Sequence, residues 1–314
     1  MAPETPTRRR VLRIFASGAA VAATGMPRDD REEWRGAALG AEVSIVFEGE
    51  GGVDRRAAIA SILAEIERQE AIFNLQDARS ELSRLNAEGR LLHPSADLVH
   101  VLSVGLRLHA ATHGKFDPTV QGLWRYYVDW YAQDRGRARP PDDALLTLAS
   151  SIGVEAVHIL ADSIVAPAGI AMTLNGIAQG HITDRGVSIL RDLGFTSALV
   201  DLGETRALGA RSDGEFWRIS LPDATPLRLR NGAVSTSAGS ATCFADNGDH
   251  HIFDPHTRRP ARIWSWLSVA HPSATVADGL STGLYCLPQD QFAQALKVFP
   301  QARVWARANL TSPS

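Results

Sequence analysis

One stretch near the C-terminal end constrains this chain more than any other: His271-Pro-Ser-Ala-Thr-Val-Ala-Asp-Gly-Leu-Ser-Thr-Gly-Leu-Tyr-Cys-Leu287. Pro272 and Ser273 read as a helix start with Ser273 as N-cap, because a serine hydroxyl accepts from amides that the first turn leaves unpaired. Within that helix Asp278 and Thr282 lie four residues apart and share one face. A carboxylate and a hydroxyl are hard oxygen donors, the kind that Mg²⁺ or Ca²⁺ accepts, usually with a phosphate completing the shell. Val276, Leu280, Leu284 and Leu287 supply an apolar face for burial. An ordinary amphipathic helix with an exposed Asp and Thr has the same spacing, so this stretch alone does not choose between the two.

The helix needs a core to pack on. With 314 residues, 45% hydrophobic and 21% charged, the chain can bury one large domain or two small ones. A net charge of −3 provides no basic field, which argues against nucleic acid as a partner. Cys243 and Cys286 fit no metal spacing; buried thiols are expected, with pairing in an oxidising compartment as the other reading.

Residues 1–27 have the layout of an export signal. Thr7-Arg-Arg-Arg-Val-Leu-Arg13 precedes an apolar run from Ile14 to Ala23, with Ala20-Val-Ala22 as an exit site. The Arg8-Arg9 pair, with Leu12 and Arg13 behind it, resembles a twin-arginine signal, so a periplasmic protein is expected. Residues 28–36 are charged and read as a flexible linker, which leaves 37–314 as the folded domain. No other run of about 18 apolar residues follows, so the mature chain is not expected to span a membrane.

Periodicity predicts helices over 57–73, 97–112, 142–151, 177–193 and 293–299, with a helical turn over 80–86. Alternation predicts strands over 41–47, 197–202, 216–221, 233–237, 250–253, 264–270 and 302–306, and a hairpin over 157–165. The aromatic run Trp124, Tyr126, Tyr127, Trp130 and Tyr131 reads as core or pocket wall. Helices come early and strands cluster late, which argues α+β rather than regular βαβ alternation. No Gly-x-Gly-x-x-Gly follows a strand, so a Rossmann site is not expected.

Three further segments carry chemistry-bearing residues: Gly114-Lys-Phe-Asp-Pro-Thr-Val120; Thr173-Leu-Asn-Gly-Ile-Ala-Gln-Gly-His-Ile-Thr-Asp184 with Val200-Asp-Leu-Gly203; and His251-Ile-Phe-Asp-Pro-His-Thr257 with Pro260. Gly176 opens a helix, where backbone N–H groups and the dipole favour anions such as a pyrophosphate. Taken with the 271–287 helix, the order and spacing of these segments, from about Gly40 to Leu287, resemble the ApbE-like family, the FAD:protein FMN transferases. The resemblance implies a single α+β domain with mixed or antiparallel sheets flanked by helices.

It also implies a site. In the family the equivalent of Gly176 lends a backbone carbonyl to Mg²⁺ (with Ca²⁺ or Mn²⁺ as substitutes), and Asp278 and Thr282 match its side-chain ligands. Asp278 is therefore expected to be catalytic as well. FAD, the substrate, is placed against Leu39, Lys115, Phe116, Asp117, Thr173, Gln179 and Ile252, with His251 beside it as a candidate acid–base group. The implied reaction moves FMN from FAD to a threonine or serine hydroxyl of an exported acceptor flavoprotein, such as a subunit of a membrane electron-transfer complex, and releases AMP.

The chain departs from the family at several points. It has Gln179 for Lys, Thr173 for Asp, Leu39-Gly-Ala41 for Met-Gly-Thr, and Arg258 for the Gly after Asp254-Pro-His-Thr257. With the twin-arginine signal, the Gln179 motif looks like the branch that accompanies nitrous-oxide reductase maturation. Storage of FAD without transfer, and Mg-dependent FAD hydrolysis to FMN and AMP, are the alternatives.

Overall fold

Alternating apolar strands build one large antiparallel sheet in this computed structural model, which describes residues 31–38, 41–49, 54–133 and 138–309. The proposed signal segment, residues 28–30 of the linker and Leu39 lie outside the described residues. The sheet comprises β1 (Arg31–Ala38), β2 (Ala41–Glu48), β6 (Ala198–Asp201), β7 (Thr205–Leu208), β10 (Ala233–Ser237), β13 (Trp264–His271) and β14 (Arg303–Ala308). Their spatial order is β1-β2-β6-β7-β10-β13-β14, and every neighbouring pair is antiparallel.

Two layers cover the two faces. Val43, Ile45 and Phe47 of β2 point to one side, onto α1 (Arg55–Phe73) through Ile62 and Ile66 and onto α6 (Ala178–Asp192) through Ile182, Val187 and Leu190. Val46, one residue out of phase, points to the other side. There it meets Trp217, Ile219, Leu227 and Leu229 of the hairpin β8 (Trp217–Ser220) and β9 (Pro226–Leu229). The largest core joins β13 to α3 (Ala96–Ala111) and α7 (Ala274–Tyr285) through Leu98, Leu102, Leu108, Leu267, Val269, Leu280 and Leu284. Each such side chain contributes roughly 1.5–3 kcal/mol by leaving water.

Smaller elements complete the chain: α2 (Glu81–Glu88), the sheet of β3 (Arg90–Leu92), β4 (His158–Ile159) and β5 (Ser163–Val165), α4 (Gln121–Ala132), α5 (Asp142–Thr147), β11 (Phe253–Asp254) with β12 (Arg259–Pro260), and α8 (Phe292–Val298). The fold is α+β, with one large antiparallel sheet flanked by helices, as expected.

Residues 31–36 correct one expectation. They belong to β1 instead of a linker, so the folded unit begins before residue 37. Trp34 packs into the core beneath the sheet while the charges face outward. There Arg35 pairs with Glu33 at 2.6 Å and with Glu42 of β2 at 2.8 Å. Charge on the outer face of an edge strand looks, in one dimension, like a solvated linker. The thiols also differ from expectation in part: both are free, Cys286 is buried and Cys243 is exposed. The strand expected over 250–253 shrinks to Phe253–Asp254. His250 instead bonds locally, with Nε2 2.6 Å from the Ala261 carbonyl oxygen.

Two helices lock each other at their first turns. Asp184 of α6 accepts from the amides of Ala274 (2.8 Å) and Thr275 (3.1 Å) and from the hydroxyls of Ser273 (2.7 Å) and Thr275 (2.8 Å), and it pairs with Arg206. Asp278 of α7 in turn accepts from the amide of Gly180 in α6 at 3.0 Å. Each carboxylate satisfies donors that the partner helix leaves open. Ser273 caps α7 as expected, accepting from the Val276 amide. Asp184→Ala orphans these donors and the Arg206 guanidinium together. We expect a loss of about 3 kcal/mol, read as a lower urea midpoint with an unchanged slope.

Candidate active site

A cleft of about 1050 Å³, counting its open mouth, lies where the first turns of α6 and α7 meet the loop before α4 and the segment leading into β11. Its walls include Lys115, Phe116, Asp117, Thr173, Gly176, Gln179, His251, Ile252, Asp278 and Thr282. The structure thus gathers into one cavity every candidate residue from the sequence except Leu39, which is outside the described residues.

On one wall, Thr282 Oγ1 lies 3.4 Å from the carbonyl oxygen of Gly176. A Cβ on Gly176 would fall 2.9 Å from that hydroxyl, so only glycine lets the backbone come this close. The Gly176 carbonyl and the Thr282 hydroxyl therefore meet, and Asp278, one helical turn before Thr282, lines the same cleft; a carbonyl, a hydroxyl and a carboxylate are hard oxygen donors of the type Mg²⁺ accepts. The helix carrying two of them is buried nearly all round. Asp278 is 5% exposed, which removes the reading of an exposed Asp on an amphipathic surface helix. Burial pushes the Asp278 carboxyl up to about 7; the Gly180 amide opposes this and the Asp184 charge adds to it.

The other walls are braced in pieces. Lys115 Nζ is held by both oxygens of Asp254 at 2.7 and 2.8 Å. Asp117 accepts from the Thr119 amide at 2.8 Å, and burial raises its pKa despite Thr119. His109 Nδ1–H donates to the Phe116 carbonyl at 3.0 Å, and its Nε2 meets Glu155 Oε1 at 2.7 Å. His109, Asp117 and Glu155 place their ligand-type atoms within 4.8 Å of one another. Their mutual bonds fasten the loop that carries residues 115–117. Thr173 donates its amide to Pro118 at 2.7 Å, tying this loop to the segment before Gly176.

His251 and His250 separate cleanly. His251 Nδ1–H donates to the Thr242 carbonyl at 3.2 Å, which leaves Nε2 with its lone pair. Burial pushes His251 down to about 4, against that hydrogen bond, so it is neutral at pH 7. His250, with both ring nitrogens engaged, is structural. The aromatic run divides as well: Trp124 lines the cleft, whereas Tyr127 is fully buried with Phe244 and Phe253.

Glu204, Asn175, Thr236 and Ser237 also line the cleft and were not anticipated. Glu204 directly follows the Val200–Gly203 segment singled out above, so an acid one residue beyond the motif was the available signal. Thr236 and Ser237 sit in a short strand whose hydroxyls carry no spacing signature.

The model of the ApbE family matches residues 39–304. A FAD:protein FMN transferase of Haemophilus influenzae is 28% identical over 236 residues, 68% of this chain and 67% of that protein. One of Treponema pallidum is 28% identical over 289 residues, covering 81% and 78%. Both relatives are transferase enzymes by name. Among solved structures, the ApbE protein of Thermotoga maritima superposes with a TM-score of 0.77 at 25% identity, covering 88% of this chain and 94% of its own. The flavin transferase ApbE of Vibrio cholerae shares the fold, with a TM-score of 0.74 at 23% identity, covering 90% of this chain and 98% of its own. With the family model matched over residues 39–304 and the fold shared, this chain belongs to the ApbE family.

Proposed function

We propose that this chain is a FAD:protein FMN transferase that moves FMN from FAD to a threonine or serine hydroxyl of an acceptor flavoprotein. The observation that supports this reading most is that Gly176, Asp278 and Thr282 line a cleft that also holds Lys115–Asp117, Gln179 and Ile252, with Thr282 Oγ1 3.4 Å from the Gly176 carbonyl oxygen. The acceptor oxygen bonds to the FMN phosphorus, the pyrophosphate P–O bond breaks, and AMP leaves.

Gly176, Asp278 and Thr282 would hold Mg²⁺. When bound, it supplies charge neutralisation and orientation of the pyrophosphate, which is what phosphoryl transfer chiefly demands. The rest falls to the chain. The 115–117 loop and Ile252 seat the flavin end, and Lys115, matched by Asp254, adds little net charge there. His251, held as the Nδ1–H tautomer by Thr242, is suited to take the proton of the acceptor hydroxyl at Nε2. His251→Gln should lower kcat by about 10²-fold or more with little change in KM for FAD; steady-state rates at fixed acceptor measure both.

The reading extends to an exported acceptor, a flavin-carrying subunit of a membrane electron-transfer complex, in the periplasm. The twin-arginine-like residues 8–13 support it, and the Gln179 motif favours an acceptor tied to nitrous-oxide reductase maturation. No helix among the described residues is long and apolar enough to cross a membrane. One assay tests the reaction: protein, FAD, Mg²⁺ and a candidate acceptor are incubated and the acceptor is examined by in-gel fluorescence and mass spectrometry. Covalent FMN on the acceptor is the expected result. AMP without labelling indicates a pyrophosphatase, and bound intact FAD alone indicates a storage protein; either outcome overturns the proposal.

A further inference from the structure

Glu204, just before β7, has no part in the site laid out above, yet its side chain faces the same cleft. Gly203 and Gly180 fix its position relative to Asp278. A Cβ on Gly203 would fall 2.8 Å from Gln179 Nε2, so the Gln179 side chain lies across the backbone beside Glu204. The next residue, Gly180, donates to Asp278. Glu204 and Asp278 therefore flank the first turn of α6, with Gly176 in the turn that precedes it.

Little of this arrangement is open to water: Asp278, Gln179 and Glu204 are 5%, 7% and 8% exposed. Among the described residues no Lys, Arg or His forms an ion pair with Glu204 or Asp278. Lys115 is held by Asp254, and Arg206 by Asp184. The nearby Ser235 hydroxyl and Thr236 amide ease the Glu204 carboxyl toward its charged form, but neither brings a charge. Gln179 Nε2 is buried without a hydrogen-bond partner, an orphaned polar group at the same wall. Two buried acids without a cationic partner are strongly unfavourable unless a cation joins them. Burial and the Asp278 charge accordingly push Glu204 well above the usual carboxylate range.

We propose that Glu204 is a second carboxylate for the divalent cation of this cleft, facing Asp278 and binding the ion directly or through one of its waters. Mg²⁺ keeps several waters and is usually bound through one or two carboxylates, so the stoichiometry suits it. The proposal rests on reading the cleft as a cation-assisted transferase site.

The test uses Mn²⁺ alone as probe, without FAD, on the wild-type chain, Glu204→Gln and Glu204→Asp. Glu204→Gln keeps the size and an acceptor for Ser235 and Thr236. Calorimetric Mn²⁺ affinity should fall about 10–100-fold. The melting temperature of the metal-free variant should rise above that of the wild type, and the rise produced by Mn²⁺ should shrink. A purely structural glutamate would shift the metal-free melt downward. Glu204→Asp, which retains the charge, should bind Mn²⁺ more tightly than Glu204→Gln. Unchanged affinity in Glu204→Gln, or equal affinity in the two variants, overturns the proposal. Assaying FMN transfer by the wild type in parallel keeps the two readings apart. Transfer with unchanged Mn²⁺ affinity in Glu204→Gln removes only the role of Glu204. Mn²⁺ binding that needs Glu204, without any transfer, removes only the transferase reading.

Discussion

Asp278→Asn should reduce FMN transfer by about 10³-fold or more while leaving the fold intact. Asparagine keeps an oxygen for the Gly180 amide, now 3.0 Å from Asp278, so the cap on α6 survives. What disappears is the charge that, under the proposed function, would meet a divalent cation. Stability gives a second readout whose sign follows from titration. In the metal-free wild type Asp278 titrates at about 7, against the ordinary aspartate value of 3.8. Between those values the folded chain keeps a proton that the unfolded chain has lost. The contribution of this group to stability therefore falls as pH rises through that window and is flat above it. Asparagine has no such titration. The melting temperature of Asp278→Asn minus that of the wild type should grow from pH 5 to pH 8 without metal, and Mg²⁺ should raise only the wild type appreciably. Taking the difference between the two proteins removes the histidines, whose own titration runs the other way. Full transfer activity in Asp278→Asn contradicts the assignment.

Gly180→Val should damage the fold around the site severely. A Cβ at Gly180 would lie 2.3 Å from the carbonyl oxygen of Ala274 and 2.8 Å from Asp278 Cβ. The first obstacle is backbone, so no rotamer change relieves it, and α6 must move away from α7. That motion also pulls the Gly180 amide from Asp278 and weakens the Asp184 cap on α7. Overpacking of this kind costs about 3 kcal/mol or more, and the melting temperature should drop by roughly 6–12 °C, with Mn²⁺ binding lost. Gly122→Ala in α4 is the control. Its Cβ would meet only Ser151 Oγ, at 3.5 Å, and alanine favours helix, so stability should stay within about 1 kcal/mol of wild type. Equal melting temperatures for Gly180→Val and wild type would refute the close-packing account.

The residues that line the candidate site were legible because many of them lie close together in the chain. Asp278 and Thr282 are one helical turn apart, and Lys115–Asp117 share one loop, so local spacing carries their relationship. The helices over 57–73 and 97–112 were legible for the same reason, within two residues of α1 and α3. Strands β3, β7 and β9 were not read, since they have only 3, 4 and 4 residues, too few for alternation to stand out. Glu204 was missed because its meaning depends on Asp278, which is distant in the chain and near only across the cleft.

The sequence by itself determined which residues can cap, which faces must be buried, and which side chains carry hard oxygen donors. Those properties depend on helical and strand periodicity and on the chemistry of single side chains. Only the tertiary structure decided that Asp278 is buried rather than solvated, that Asp184 and Asp278 cap each other's helices, and that residues 31–36 extend the sheet. Burial and desolvation depend on what the rest of the chain places around a group, and no local window of sequence contains that information.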